Sequence, residues 1–185
     1  MKVLVLAGSP RKGGNTDILA DEFLRGAAEA GAEVEKVYLD DFAIRPIGEV
    51  GDVLGGRDDV RSGDDYLSVL EKFLAADVVL FATPVYWQGV SAQLKCFLDR
   101  LSCYIRKPGY DERMRGKGYA VVTTYGAADE GHWVTEPVKA GVRFLAGRYL
   151  GDVCAQAYNK GDVAKKPEAL AAARALGEKA VESGA

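Results

Sequence analysis

The stretch Lys2-Val3-Leu4-Val5-Leu6-Ala7-Gly8-Ser9-Pro10-Arg11-Lys12-Gly13-Gly14-Asn15-Thr16 decides how the rest of the chain is read. An apolar strand runs into a loop of glycines and small polar residues, and an amphipathic helix begins where the loop ends. Such an edge is an anion cradle, because the first turn of a helix leaves backbone N–H groups unpaired at the positive end of its dipole. Glycines such as Gly14 let a ligand approach the backbone closely. Arg11 adds a planar cation, and Ser9, Asn15 and Thr16 add short hydrogen-bonding side chains. The plainer alternative is a glycine-rich connection without a ligand. It would have to gather these four side chains at one helix start for solubility alone.

Three commoner phosphate or nucleophile signatures fail on the same residues. Gly8 and Gly13 have the outer spacing of a P-loop, but Gly14-Asn15 stands where Lys-Ser/Thr is required, which disfavours nucleoside triphosphate hydrolysis. The dinucleotide fingerprint needs a G-x-G-x-x-G triplet that this loop lacks. No G-x-S-x-G nucleophile elbow is present either. What remains is a loop suited to a terminal monophosphate.

Downstream, strands and helices alternate. The spacing predicts a strand over 2–7, a helix over 16–30 closed by Gly31, and an alternating strand from Glu33 to Leu39. A helix over 64–76 carries the stripe Tyr66, Val69, Leu70, Phe73 and Leu74 behind Ser62 as N-cap. Val78 to Ala82 is apolar without alternation, as in a parallel strand covered on both faces. Further helices are expected over 91–103, over 132–147 and from Pro167, and strands from Gly118 to Thr124 and Leu150 to Ala157. Five strands alternating with five helices imply an α/β parallel sheet with right-handed crossovers. Residues 1–185 are expected to form a single domain.

Two segments are irregular. Residues 40–62 form a loop of 23 residues rich in Gly and Asp, either functional or mobile. Residues 104–117 hold Arg106, Lys107, Arg113, Arg115 and Lys117, which could receive the phosphates of a pyridine nucleotide or make a solvated or dimer-contact loop.

Hydrophobic residues make up 48% of the chain and charged ones 28%, a globular balance. The net charge of −3 argues against nonspecific nucleic-acid binding. No apolar run approaches the ~20 residues of a membrane span, so no transmembrane helix is expected. The first strand begins without a secretory leader, so a cytoplasmic location is expected. Cys96, Cys103 and Cys154 are odd in number and form no C-x-x-C pair, so they read as reduced thiols, with neither disulfide nor iron. No metal-ligand spacing occurs. His132, the sole histidine, opens a helix and is not assigned a catalytic role.

Gly8-Ser9-Pro10-Arg11 with Gly14-Asn15-Thr16, followed about 70 residues later by Thr83-Pro84-Val85-Tyr86-Trp87, Ser91-Ala92-Gln93-Leu94-Lys95 and Asp99-Arg100, resembles the NAD(P)H-dependent FMN reductase family of flavodoxin-like proteins. The resemblance covers residues 1 to about 157. It implies a flavodoxin-like three-layer sandwich with strand order 2-1-3-4-5, bound FMN, and NADPH or NADH as electron donor. It also implies a small-molecule acceptor such as a quinone or flavin, and a homodimer or homotetramer. Iron–sulfur relatives carry a cysteine cluster near residues 40–62, whereas this chain has Arg45-Pro46-Ile47-Gly48 there, so no cluster is expected.

In a doubly wound sheet the ligand lies beyond the carboxyl ends of the strands at the switch point, where the loops 8–16, 83–90 and 124–131 meet. The phosphate is then expected on Ser9, Arg11, Gly14, Asn15 and Thr16, and the ring against Pro84, Val85, Tyr86, Trp87 and Gln88. Tyr125, Gly126 and Ala127 would approach the pyrimidine edge, and Thr124 beside them is expected to bind the cofactor. Backbone N–H groups of Trp87 or Gln88 would stabilise the reduced ring. Two alternatives stand beside the enzyme: a flavodoxin-type electron carrier without its own substrate site, and a non-catalytic binding or sensor protein.

Overall fold

Strand β1 (Lys2–Ala7) is apolar along its length because both of its faces are covered. In the computed structural model, which describes residues 1–48, 63–105, 107–126 and 131–183, Leu4 and Leu6 enter one core while Val3, Val5 and Ala7 enter another. Strand side chains alternate between faces, so one run serves two cores. β3 (Val78–Pro84) and β4 (Gly118–Tyr125) repeat the pattern, with Val79, Phe81, Tyr119 and Val121 on the first side and Val78, Leu80, Ala120 and Val122 on the second. β2 (Glu33–Tyr38) and β5 (Arg148–Gln156) form the edges. All pairs are parallel, in the order β2-β1-β3-β4-β5.

Helices α1 (Asn15–Glu29) and α6 (Pro167–Glu182) cover one face. The other is covered by α2 (Tyr66–Ala75), α3 (Ala92–Leu101), a single turn α4 (Asp111–Met114) and α5 (His132–Phe144). This is the expected flavodoxin-like three-layer sandwich. No described helix is long and apolar enough to cross a membrane.

Several boundaries differ from the sequence reading, each for a local reason. The alternation in β2 buries Val37 but leaves Val34 exposed, because an edge strand has less cover, and Lys36 lies across α1 to bond Asp17 and Asp21. Ser62 lies outside the described residues, and α2 starts at Tyr66, whose N–H donates to Asp64 Oδ1. Asp64 also receives Arg100, a fully buried guanidinium stacked 4.1 Å from the Tyr66 ring centre. Burial alone would raise the Asp64 carboxyl, but Arg100 and two backbone N–H donors hold it below the usual range.

The basic segment 104–117 is tied into the chain by several of its own cations. Arg106 is outside the described residues. Arg113 pairs with Glu71, Arg115 with Asp111, and the Lys117 ammonium donates to the carbonyls of Leu74 and Ala76. Lys117 directly precedes β4, so this cluster stands at the amino ends of the strands, away from the ligand end.

Glycines bring α1 and α6 into close contact. A Cβ on Gly177 of α6 would stand 2.0 Å from the Phe23 carbonyl oxygen of α1, and one on Gly26 would stand 2.0 Å from that of Arg174. Alanine for glycine inside a helix normally gains about 1 kcal/mol, but here the methyl meets backbone. Gly177→Ala should therefore lower stability by about 1–3 kcal/mol through overpacking. Gly141→Ala in α5, where the methyl meets nothing within 4 Å, should raise it by about 0.5–1 kcal/mol. Urea unfolding of both variants checks the opposite signs.

Candidate active site

At the carboxyl ends of β1, β3, β4 and β5, four loops enclose one cleft. It is lined by Ser9, Arg11, Gly14, Asn15 and Thr16, by Pro84, Val85 and Tyr86, by Thr124, Tyr125 and Gly126, and by Ala157, Tyr158 and Lys160.

The first loop is anchored at its start by Gly8 N–H donating to the Ala82 carbonyl of β3 at 2.8 Å. It then folds on itself: Arg11 N–H reaches Ser9 Oγ at 3.2 Å, and Gly14 N–H reaches the Arg11 carbonyl at 3.0 Å. Gly14 is the N-cap of α1 and contributes no side-chain cap, so the N–H groups of Asn15 and Thr16 have no helical acceptor. A Cβ at Gly14 would stand 2.8 Å from the Arg11 carbonyl oxygen, so this tight turn requires glycine.

Each polar side chain of this loop also ties it to a neighbour. Arg11 Nη2 donates to the Tyr86 hydroxyl at 3.3 Å, on the second loop. Thr16 and Thr124 share a buried hydroxyl–hydroxyl bond of 2.7 Å, joining α1 to the end of β4. Asn15 Nδ2 donates to the Asn159 carbonyl at 2.8 Å, and its Oδ1 accepts from Val163 N–H at 3.2 Å, on the segment after β5. The Asn15 amide therefore acts as a strut, and what this residue offers the cleft is its backbone N–H.

Behind the loop, Asp17 is buried and accepts from Gly13 N–H, Lys36 and the Tyr38 hydroxyl. Burial works to lower the Lys36 ammonium, yet its bonds to Asp17 and Asp21 hold it well above the ordinary lysine range. The carboxylate of Asp17 is thus neutralised on the β2 side rather than facing the cleft.

The second loop departs most from expectation. Tyr86 N–H and Gly89 N–H exchange bonds with each other's carbonyls at 2.9 and 3.2 Å, closing a turn in which Trp87 and Gln88 both have left-handed φ, 49° and 57°. The turn swings Trp87 wholly into solvent, at 102% relative exposure, and carries Gln88 into the groove between α3 and α5. Pro84, Val85 and Tyr86 line the cleft, whereas the side chains of Trp87 and Gln88 stand outside it. Their backbone N–H groups lie at the turn's tip.

On the third loop Thr124, Tyr125 and Gly126 line the cleft, and Ala127 lies outside the described residues. The fourth loop is not singled out by the sequence reading, because β5 ends at Gln156 rather than Ala157 and this loop lies beyond those at the switch point. Its signal was an aromatic and a cation, Tyr158 and Lys160, immediately after a strand. Tyr158 lies against Gly126, its ring 3.3 Å from where a Cβ would stand. His132 opens α5 with its ring 4.6 Å from that of Trp133, outside the cleft. Cys96 and Cys103 are half-buried and Cys154 exposed, none lining it.

A family model described as NADPH-dependent FMN reductase matches residues 1–161. The putative NAD(P)H-dependent FMN-containing oxidoreductase YwqN of Bacillus subtilis is 33% identical over 181 residues, covering 95% of this chain and 96% of that protein. Iron-sulfur flavoprotein MJ1083 of Methanocaldococcus jannaschii is 42% identical over 105 residues, 54% of this chain and 51% of that protein, so the match spans about half of its length. Among solved structures, the Trp repressor binding protein from Bacillus subtilis superposes with a TM-score of 0.72 at 27% identity, over 94% of this chain and 96% of that one.

The Thr16–Thr124 bond makes a clean test of how the first loop is held. Thr16→Val or Thr124→Val alone leaves a buried hydroxyl without its partner and should cost about 1–3 kcal/mol of stability. The double variant removes both hydroxyls and should cost less than the two single changes together. Chemical denaturation of the four proteins reads the coupling directly, and strict additivity would show that the bond does not form.

Proposed function

Because the chain belongs to the NADPH-dependent FMN reductase family, we propose that this cleft is its FMN site and that it passes reducing equivalents from NADPH or NADH to a quinone, free flavin or similar small-molecule acceptor. The observation that carries the reading is one cleft lined both by an open helix start with Arg11 and by Pro84, Val85 and Tyr86. The first suits a dianionic phosphate and the second a planar ring. The residues therefore fit the cofactor.

When bound, FMN supplies the hydride and electron-transfer chemistry. The chain's residues bind and orient. Ser9, Arg11 and the N–H groups of Asn15 and Thr16 hold the phosphate in charge-assisted bonds. Gly14 leaves room for it, and the Thr16 hydroxyl retains bonding capacity beyond its bond to Thr124. Pro84, Val85 and Tyr86 back the ring, the tip N–H groups of Trp87 and Gln88 supply fixed donors for negative charge on it, and Thr124, Tyr125 and Gly126 close its opposite edge. Among the described residues no His, Cys, Asp or Glu lines the cleft, and the roles assigned here to its side chains are binding and orientation.

The same reading includes a homodimer, or a tetramer built from it. A groove of about 370 Å³ between α3 and α5 is lined largely by apolar residues, among them Leu98, Ile105 and Val138. Trp87, Trp133 and Phe144 expose aromatic surface around it. An exposed apolar patch next to a ligand cleft is the surface a second copy would cover.

Anaerobic mixing with NADPH or NADH tests the function. Rapid bleaching of the yellow flavin supports a reductase, whereas bleaching that needs a partner protein identifies an electron carrier. A colourless protein that takes up no added FMN identifies a binding or sensor protein. Arg11→Ala should weaken FMN by about 1.5–3 kcal/mol, the range for bonds to charged groups, and leave riboflavin affinity nearly unchanged. Equal weakening of both flavins would remove Arg11 from the phosphate.

A further inference from the structure

The loop after β5 brings a cation to the first loop that nothing in the described chain neutralises. Lys160 lines the cleft with Ser9, Arg11 and Gly14. Its Cε and Nζ lie 3.8 and 3.9 Å from where a Cβ on Gly13 would stand, over the turn that leads into α1. Among the described residues it has no hydrogen bond or ion pair. The neighbouring acids are already engaged: Asp41 holds Lys12, Asp17 holds Lys36, and Asp162 accepts from Asn159 N–H and pairs with Lys165.

Its placement is fixed by the strut already described. Asn15 grips the chain on both sides of Lys160, through the Asn159 carbonyl and the Val163 N–H. The ammonium's backbone is thereby tied to the residue whose own N–H opens on the cradle. A long, solvated lysine that merely aided solubility would need no such tie.

We propose that Lys160 is a second cation of the phosphate site, facing Arg11 across the bound phosphomonoester, and that Asn15 is the residue that positions it. This rests on the FMN reading of the cleft. It assigns the loop after β5 a direct role, and it matches one dianion with two cations on separate loops. The phosphate then joins the first and fourth loops, so recognition of the phosphorylated flavin over its unphosphorylated form draws on both.

The test is the affinity of the full chain for FMN and for riboflavin, read by quenching of flavin fluorescence. Lys160→Met should weaken FMN about tenfold or more while moving riboflavin less than about twofold, and Lys160→Arg should recover most of the loss. The salt dependence of FMN binding should become shallower in Lys160→Met. Asn15→Ala should lower the FMN-to-riboflavin preference as Lys160→Met does, and the double variant should lose less than the sum. Lys160 is exposed, so its variants keep the fold and decide the matter even where Asn15→Ala does not. A preference unchanged in Lys160→Met, or equal loss of both flavins, would overturn the assignment of Lys160. A wild-type protein that binds both flavins equally would overturn the phosphate reading itself, and one that binds neither would overturn the FMN site.

Discussion

Within six residues at the start of α1, three side chains tie that helix to each of the other loops around the cleft: Arg11 to Tyr86, Asn15 to the segment after β5, and Thr16 to Thr124. The rest of the site depends on this knot. Each bond contributes only about 1 kcal/mol net, so their value lies in placement. With the helix start bonded to three separate loops, its unpaired N–H groups hold a fixed position relative to Pro84, Val85 and Tyr86 at the end of β3. A site built from loops on four strand ends needs such cross-ties, because loops are otherwise the most mobile part of a fold.

The turn at 86–89 shows the opposite use of local energy. Two consecutive non-glycine residues in the left-handed region cost of order 1–2 kcal/mol each. The surroundings hold them there: Val85 N–H donates to the Thr124 carbonyl at 2.9 Å, Tyr86 and Gly89 bond reciprocally, and Ser91 N–H donates to Thr83 Oγ1 at 2.9 Å before capping α3. Glycine at these positions would remove the strain and also the side chains. The strain is retained where the backbone turns its N–H groups out at the ligand end, next to the wall formed by Tyr86.

The layers of the fold were legible in the sequence because burial on both faces leaves a continuous apolar run, as in Val78 to Ala82, and burial on one helix face leaves a stripe, as in Tyr66 to Leu74. The tight turn before α1 was legible for a similar reason, since glycine and short polar residues at a helix start have a specific physical use. What sequence could not reveal is direction. Trp87 follows a buried strand as a ring-stacking residue would, yet two φ angles send it outward. Arg113, Arg115 and Lys117 have the composition of a phosphate site, but the strand they precede puts them at the amino ends of the sheet, opposite the cleft. Asn15 reads as a ligand for the same anion as Thr16, and its amide turns instead to a loop 144 residues away.

Net charge is equally uninformative about the cleft. The chain carries −3 in all, yet around the first loop Asp17 and Asp41 are bound to Lys36 and Lys12, leaving Arg11 and Lys160 as the cations that line the cleft. Screening in salt water acts over about 8–10 Å, so a ligand entering between these loops meets the local pair of cations and not the chain's average. Among the described residues, many acids lie in ion pairs along the helices and strand edges. Affinity for a small dianion is therefore set by which carboxylates the fold has already paired, a property of the tertiary structure that composition does not record.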